Sequence, residues 1–181
     1  MLTLVQFDTQ DAFEVIADAV PIAQTKPLTP DTFQPRGGTP LFDSSAKLIL
    51  HASARANALA DAGDPAEQIL FVTFTDGEEN QSRSVSRRDL FDLIAVKKEF
   101  GWTFAFLGAG MDAYADSTAV GYAHGSVQAF APDGAGAGEA FASLSRSTAS
   151  LRDKVRRQEP VAPDQFFEDK AAEADRATRG S

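Results

Sequence analysis

The sequence predicts an α/β domain: an open, mostly parallel sheet in three layers, with helices on both faces. Three observations carry this. Residues 69–74 and 102–107 are continuous apolar runs, the mark of strands covered on both faces. Segments with helical spacing of apolar residues alternate with them. A chain of 181 residues with 43% hydrophobic content can bury one real core.

Residues 2–7 read as the first strand and 13–16, extending to 20, as a second, antiparallel to it across the polar turn at Asp8–Asp11. Pro21, Pro27, Pro30, Pro35, Gly37 and Gly38 make the next stretch a long irregular loop, of the kind that often carries function. Thr39 is expected as the N-cap of the first helix, with Pro40 at its first position. Leu41, Ser45, Leu48, Ala52, Ala56 and Leu59 form its expected inner stripe, and Gly63-Asp64-Pro65 ends it. After the strand at 69–74 comes a helix over 87–99, with Leu90, Leu93, Ile94 and Val96 inward. A strand at 102–107, a short helix near 113–120 and a strand at 126–130 follow. The glycines between Asp133 and Gly138 read as flexible chain. A last helix then places Phe141, Leu144, Thr148, Leu151 and Val155 at helical spacing. The expected domain spans 1–157. Residues 158–181, polar and broken by Pro160 and Pro163, read as a mostly disordered tail whose anchor would be Phe166-Phe167.

Composition excludes several functions. A net charge of −9 argues against nucleic acid or an anionic membrane as partner, since both call for clustered Lys and Arg. No apolar run approaches the roughly 20 residues of a membrane span. The absence of cysteine excludes disulfides and thiolate metal sites, and fits a cytoplasmic location.

Two motifs point to a site. Phe74-Thr75-Asp76-Gly77-Glu78-Glu79-Asn80 runs from a buried strand into an acidic turn. Gly37-Gly38-Thr39-Pro40-Leu41 ends the long loop and opens a helix. With Leu4-Val5-Gln6-Phe7-Asp8, Glu99-Phe100-Gly101-Trp102 and Phe106-Leu107-Gly108-Ala109, in this order and spacing, they resemble von Willebrand factor A domains, particularly the stand-alone bacterial ones. The resemblance covers roughly residues 1–155 and implies a Rossmann-like fold. It implies a divalent-metal site in which Thr39 offers its hydroxyl and Asp76 its carboxylate, directly or through water, to Mg²⁺ or Mn²⁺. The ion would bridge to an acidic side chain of a protein partner. Hard cations of this kind take oxygen ligands.

The third segment of such a site, an Asp-x-Ser-x-Ser run, occurs nowhere in the chain. Asp43-Ser44-Ser45 and Asp116-Ser117-Thr118 have the wrong spacing, and no motif supports Asp8 as a ligand. The family's first central strand and helix are therefore expected to be absent, and metal binding to be weak. A chain opening on a strand suggests a reading frame that begins further upstream; a fragment without function is a further alternative.

Other chemistries are thinner. Gly108-Ala109-Gly110-Met111-Asp112-Ala113 fits a dinucleotide-binding turn, with Asp133 as the ribose-binding acid of a Rossmann-type oxidoreductase. This is the best enzyme reading, but the strand comes late and no second nucleotide-binding unit follows. No Gly-x-Ser-x-Gly elbow is present, and neither His51 nor His124 has a partner at metal spacing. Glu78-Glu79 reads as a solvated loop, and Arg83, Arg87 and Arg88 as a solvated basic cluster or as groups that steer a partner's carboxylate. The function expected is protein binding rather than catalysis.

Overall fold

The computed structural model describes residues 1–29, 31–32, 36–109 and 113–179, with the backbone alone at 114, 116 and 179. The chain forms two compact units, one of Met1–Ala66 with Glu78–Ser86, the other of Glu67–Gly77 with Arg87–Ser181. It is a mixed α/β protein.

In the first unit, β1 (Leu2–Gln6) and β2 (Glu14–Val20) form an antiparallel hairpin. Helix α1 runs from Leu41 to Asp61. Leu41 and Ser45 of the expected stripe are buried, with Ser44, Ala46, Ile49 and Ser53 beside them, while Leu48, Ala52, Ala56 and Leu59 are half-buried and Leu50 is exposed. The buried face admits serines because each hydroxyl can bond the preceding turn: Ser53 Oγ donates to the Ile49 carbonyl at 2.7 Å.

The second unit holds a three-stranded parallel sheet in the order β3 (Leu70–Thr75), β4 (Thr103–Ala109), β5 (Val127–Phe130). The single open sheet expected from the sequence is thus two sheets, because no described segment supplies a strand bonded to both. Between the strands lie α2 (Arg87–Glu99) and α3 (Ala113–Ala119), and α4 (Gly134–Arg156) follows β5. Ala105 and Leu107 of β4 pack with Phe130, Ala140, Phe166 and Phe167. The opposite side of β4 presents Phe104 and Phe106 edge-on to Tyr122. Within α2 only Leu90 and Ile94 are buried, and Val96, expected inward, is exposed.

Three expectations for this unit are corrected. The segment read as flexible at Asp133–Gly138 is the first turn of α4, because the Asp133 carboxylate caps it, accepting the Gly136 N–H at 2.7 Å. A Cβ at Gly136 would sit 2.3 Å from the Ala131 carbonyl oxygen, so this glycine permits a close approach of backbone. The buried line of α4 is Gly136, Ala140, Ser143 and Ser147; of the expected stripe, Leu144 and Leu151 pack against the core from half-buried positions, whereas Phe141, stacked on Phe74, and Val155 are exposed.

The tail is the third. It carries helix α5 (Ala171–Arg179), and it buries Phe166, Phe167 and Ala172 in the core. Ser143 Oγ donates to Asp169 at 3.1 Å and Ser147 Oγ accepts the Glu168 N–H at 3.3 Å. Arg146 pairs with Asp169 at 2.9 Å and Lys154 with Glu168 at 3.1 Å. Small polar residues on α4 thus dock a segment whose own composition reads as solvated.

Candidate functional site

Helix α1 begins one residue later than its sequence suggests. Pro40 occupies the N-cap position and gives no side-chain cap, and Thr39 does not cap the helix either. The first-turn N–H groups are orphans that need acceptors. Residues 79–82 supply them from a distance in sequence. The Phe42 N–H donates to Glu79 Oε2 at 2.9 Å and to Ser82 Oγ at 3.0 Å, and the Asp43 N–H donates to Ser82 Oγ at 3.1 Å. Glu79 also accepts the N–H groups of Gln81 and Ser82 at 2.8 and 2.7 Å and the Ser82 hydroxyl at 2.6 Å. Glu79 is therefore a fully bonded cap, not the solvated residue expected; Glu78 beside it is exposed. A carboxylate placed here also favours the positive end of the helix dipole.

The attachment is reciprocal. Asp43, in the first turn of α1, accepts the N–H groups of Arg83 at 2.9 Å, Ser84 at 3.1 Å and Val85 at 2.7 Å. Desolvation pushes its carboxyl upward, but the backbone donors Arg83, Val85 and Ser84 outweigh it and hold the pKa below the ordinary value. The sequence signal for this was an acid in the first turn of a helix; its partners, some 40 residues on, left none.

Asp8 is committed elsewhere. Its carboxylate closes a turn by accepting the Gln10 and Asp11 N–H groups at 2.6 and 3.0 Å, and pairs with Arg36 at 2.6 Å. Arg36 also pairs with Glu14. Desolvation works against the Asp8 charge, and these backbone and guanidinium donors overcome it, leaving the pKa lowered. His51 pairs with Asp18 at 3.0 Å and meets Phe13 edge-on, as a surface histidine does.

Thr39 and Asp76, the two expected metal ligands, belong to different units. Thr39 is half-buried and its backbone is held by Asn80. Its hydroxyl makes no hydrogen bond among the described residues. Asp76 is exposed, just past the end of β3. The turn at that point is held by Thr75, whose hydroxyl donates to the Gly77 carbonyl at 3.0 Å and accepts its N–H at 3.2 Å. The Asp76 carboxylate has no partner among the described residues. Among those residues no group of three or more His, Cys, Asp or Glu is placed to hold a metal ion.

The dinucleotide motif falls partly on residues 110–112, outside those described. Its described part has other work. A Cβ at Gly108 would lie 2.6 Å from Ala113 Cβ, so the glycine lets the end of β4 approach α3. Asp133, the expected ribose-binding acid, caps α4.

Compared with known proteins, the chain matches no family model, no curated protein and no solved structure. No helix among the described residues is long and apolar enough to cross a membrane.

Proposed function

We propose that the chain is a protein-binding module of von Willebrand A type rather than an enzyme, in which Thr39 and Asp76 donate oxygen ligands to Mg²⁺ or Mn²⁺ and the ion bridges to a partner's carboxylate. The observation that supports this is a division of labour. Polar groups of the first unit, Asp8, Asp43, Glu79 and Ser82, are all engaged in hydrogen bonds that hold that unit together. The Thr39 hydroxyl and Asp76 carboxylate are left out of that network, although a cap and a turn were the ordinary uses for them. Both are hard oxygen donors, the kind Mg²⁺ and Mn²⁺ take, and two protein oxygens with the rest water make a weak site.

Titration with Mn²⁺, followed by the loss of its free-ion paramagnetic resonance signal, tests the reading. Weak one-to-one binding by the parent chain, abolished in Asp76→Asn and in Thr39→Ala, is expected. Thr39→Ala should leave the melting temperature unchanged, since its hydroxyl bonds none of the described residues. Equal Mn²⁺ uptake by all three proteins would sink the metal bridge.

A further inference from the structure

The two edges of the three-stranded sheet differ. That of β5 is closed by side chains: Lys170 Nζ donates to the Val127 carbonyl and Glu173 Oε1 accepts the Ala129 N–H at 3.3 Å. The edge of β3 has no such cover. Ile69 gives its carbonyl to the Thr103 N–H at 2.9 Å, and alternate residues of a parallel strand face the same neighbour. The N–H and C=O groups of Leu70, Val72 and Phe74 therefore face away from β4, and none of them bonds a described residue. Leu70-Phe71-Val72-Thr73-Phe74-Thr75 has neither charge nor proline, the devices that keep an edge from pairing.

The side chains beside that edge are apolar and open. Leu70, Val72 and Phe74 lie on the α4 side of β3 and are only half-buried. Phe74 stacks on Phe130 at 4.9 Å and on Phe141 at 4.6 Å, and Phe141 is 52% exposed. From Phe141 a groove of about 380 Å³ runs along α4, past Leu144, Thr148 and Ala149 to Arg152. Val155, one turn beyond, lines a cavity with Gln68 and Gly101, so this end of the groove lies by the start of β3. Arg152 is exposed and has no ion pair or hydrogen bond among the described residues, whereas Arg146, Lys154 and Arg156 on the same helix are paired.

We propose that the β3 edge is a second docking surface. It takes an extended segment of a partner protein as an added strand, apolar at alternate positions, with an acidic side chain at Arg152. Three features define that occupant. Unbonded N–H and C=O groups along an edge call for a strand. The half-buried Leu70, Val72 and Phe74 call for apolar residues on the α4 side, at every second position. The unpaired guanidinium calls for a carboxylate. The pairing does not rest on a metal ion at Asp76.

Two synthetic peptides of alternating valine and threonine test it, one with glutamate at its amino end and one with glutamate at its carboxyl end. Chelator is present throughout, so that failure here leaves the metal bridge untouched. One of the two, according to whether the added strand is parallel or antiparallel, should slow hydrogen exchange of the Val72 amide at least tenfold. Arg152→Glu should weaken that peptide at least fivefold, and lysine in place of the peptide's glutamate should restore it. No slowing at Val72 with either peptide would overturn the added strand. Protection of Val72 in the parent alone, with a dimer in sedimentation velocity, would overturn it in favour of a second copy. Equal binding by the parent and Arg152→Glu would overturn the acidic partner.

Discussion

Asn80 and Thr39 hold each other at two points: the Thr39 N–H donates to Asn80 Oδ1 at 3.0 Å, and the Asn80 N–H donates to the Thr39 carbonyl at 3.2 Å. The backbone at Thr39 is thus fixed without use of its hydroxyl. A side chain held by its backbone and spared its own bonding is a pre-placed donor, which is the arrangement a ligand site needs.

Removing the remote cap should loosen the first unit. Glu79→Ala deletes the acceptor for the Phe42, Gln81 and Ser82 N–H groups. A loss of about 1–2 kcal/mol is expected in urea denaturation. Glu78→Ala, at an exposed neighbour, should stay within about 0.5 kcal/mol of the parent. Equal effects would refute the capping role.

Acid should undo the same attachment. The Asp43 pKa is depressed in the folded chain, so its contribution is fully present above the unfolded value, near 4, and is lost as pH falls through the folded value. Asp169 is depressed as well, first by its bond to Arg146, and acts in the same direction on the C-terminal segment. At neutral pH, Asp43→Asn should be less stable than the parent by about 1–2 kcal/mol. The gap should narrow as pH falls through the depressed folded pKa of Asp43. A gap independent of pH would show that charge plays no part.

Helix α4 ends on a strained residue. The Gln158 N–H donates to the Val155 carbonyl at 3.0 Å and the Glu159 N–H to that of Lys154 at 2.9 Å, with Gln158 at φ 57°. Glycine fills the equivalent place after α1, at Gly63, and after α2, at Gly101. Gln158→Gly should therefore stabilise the second unit by up to about 1 kcal/mol, read as a rise in melting temperature. Gly101→Ala should cost a similar amount.

Phe166 is expected to matter far more than its place in a polar tail suggests. Phe166→Ala removes a buried ring from the second core and should cost about 3–5 kcal/mol. Phe100→Ala, at a residue 75% exposed, should be nearly neutral in the same denaturant series.

These cases show where the sequence was legible. Period-two and continuous apolar runs located the five strands, because burial on one or both faces writes itself into neighbouring residues. Helix α2 was placed to the residue at Arg87–Glu99 for the same reason. What failed was non-local. The cap on Phe42 comes from Glu79 and Ser82, and neither end of that pairing advertises the other. On α4 the expected Leu144 and Leu151 do pack against the core, but the burial of Ser143 and Ser147, through bonds to residues 168 and 169, was not legible. The candidate site was legible as two motifs, yet the structural use of Glu79, and the lack of a bond from the Thr39 hydroxyl or the Asp76 carboxylate to any described residue, became visible only in three dimensions.

Residues 78–86 leave the second unit's stretch of chain, join the first unit at α1, and return. The polypeptide therefore passes between units three times, and no single cut can separate them. A fragment ending at Ala66 would keep α1 whole but strip its first turn of Glu79 and Ser82 and leave the Asp43 carboxylate without its three backbone donors. Limited proteolysis between Ala66 and Glu67 should thus yield two pieces that remain associated through the excursion, rather than an independently folded amino-terminal half.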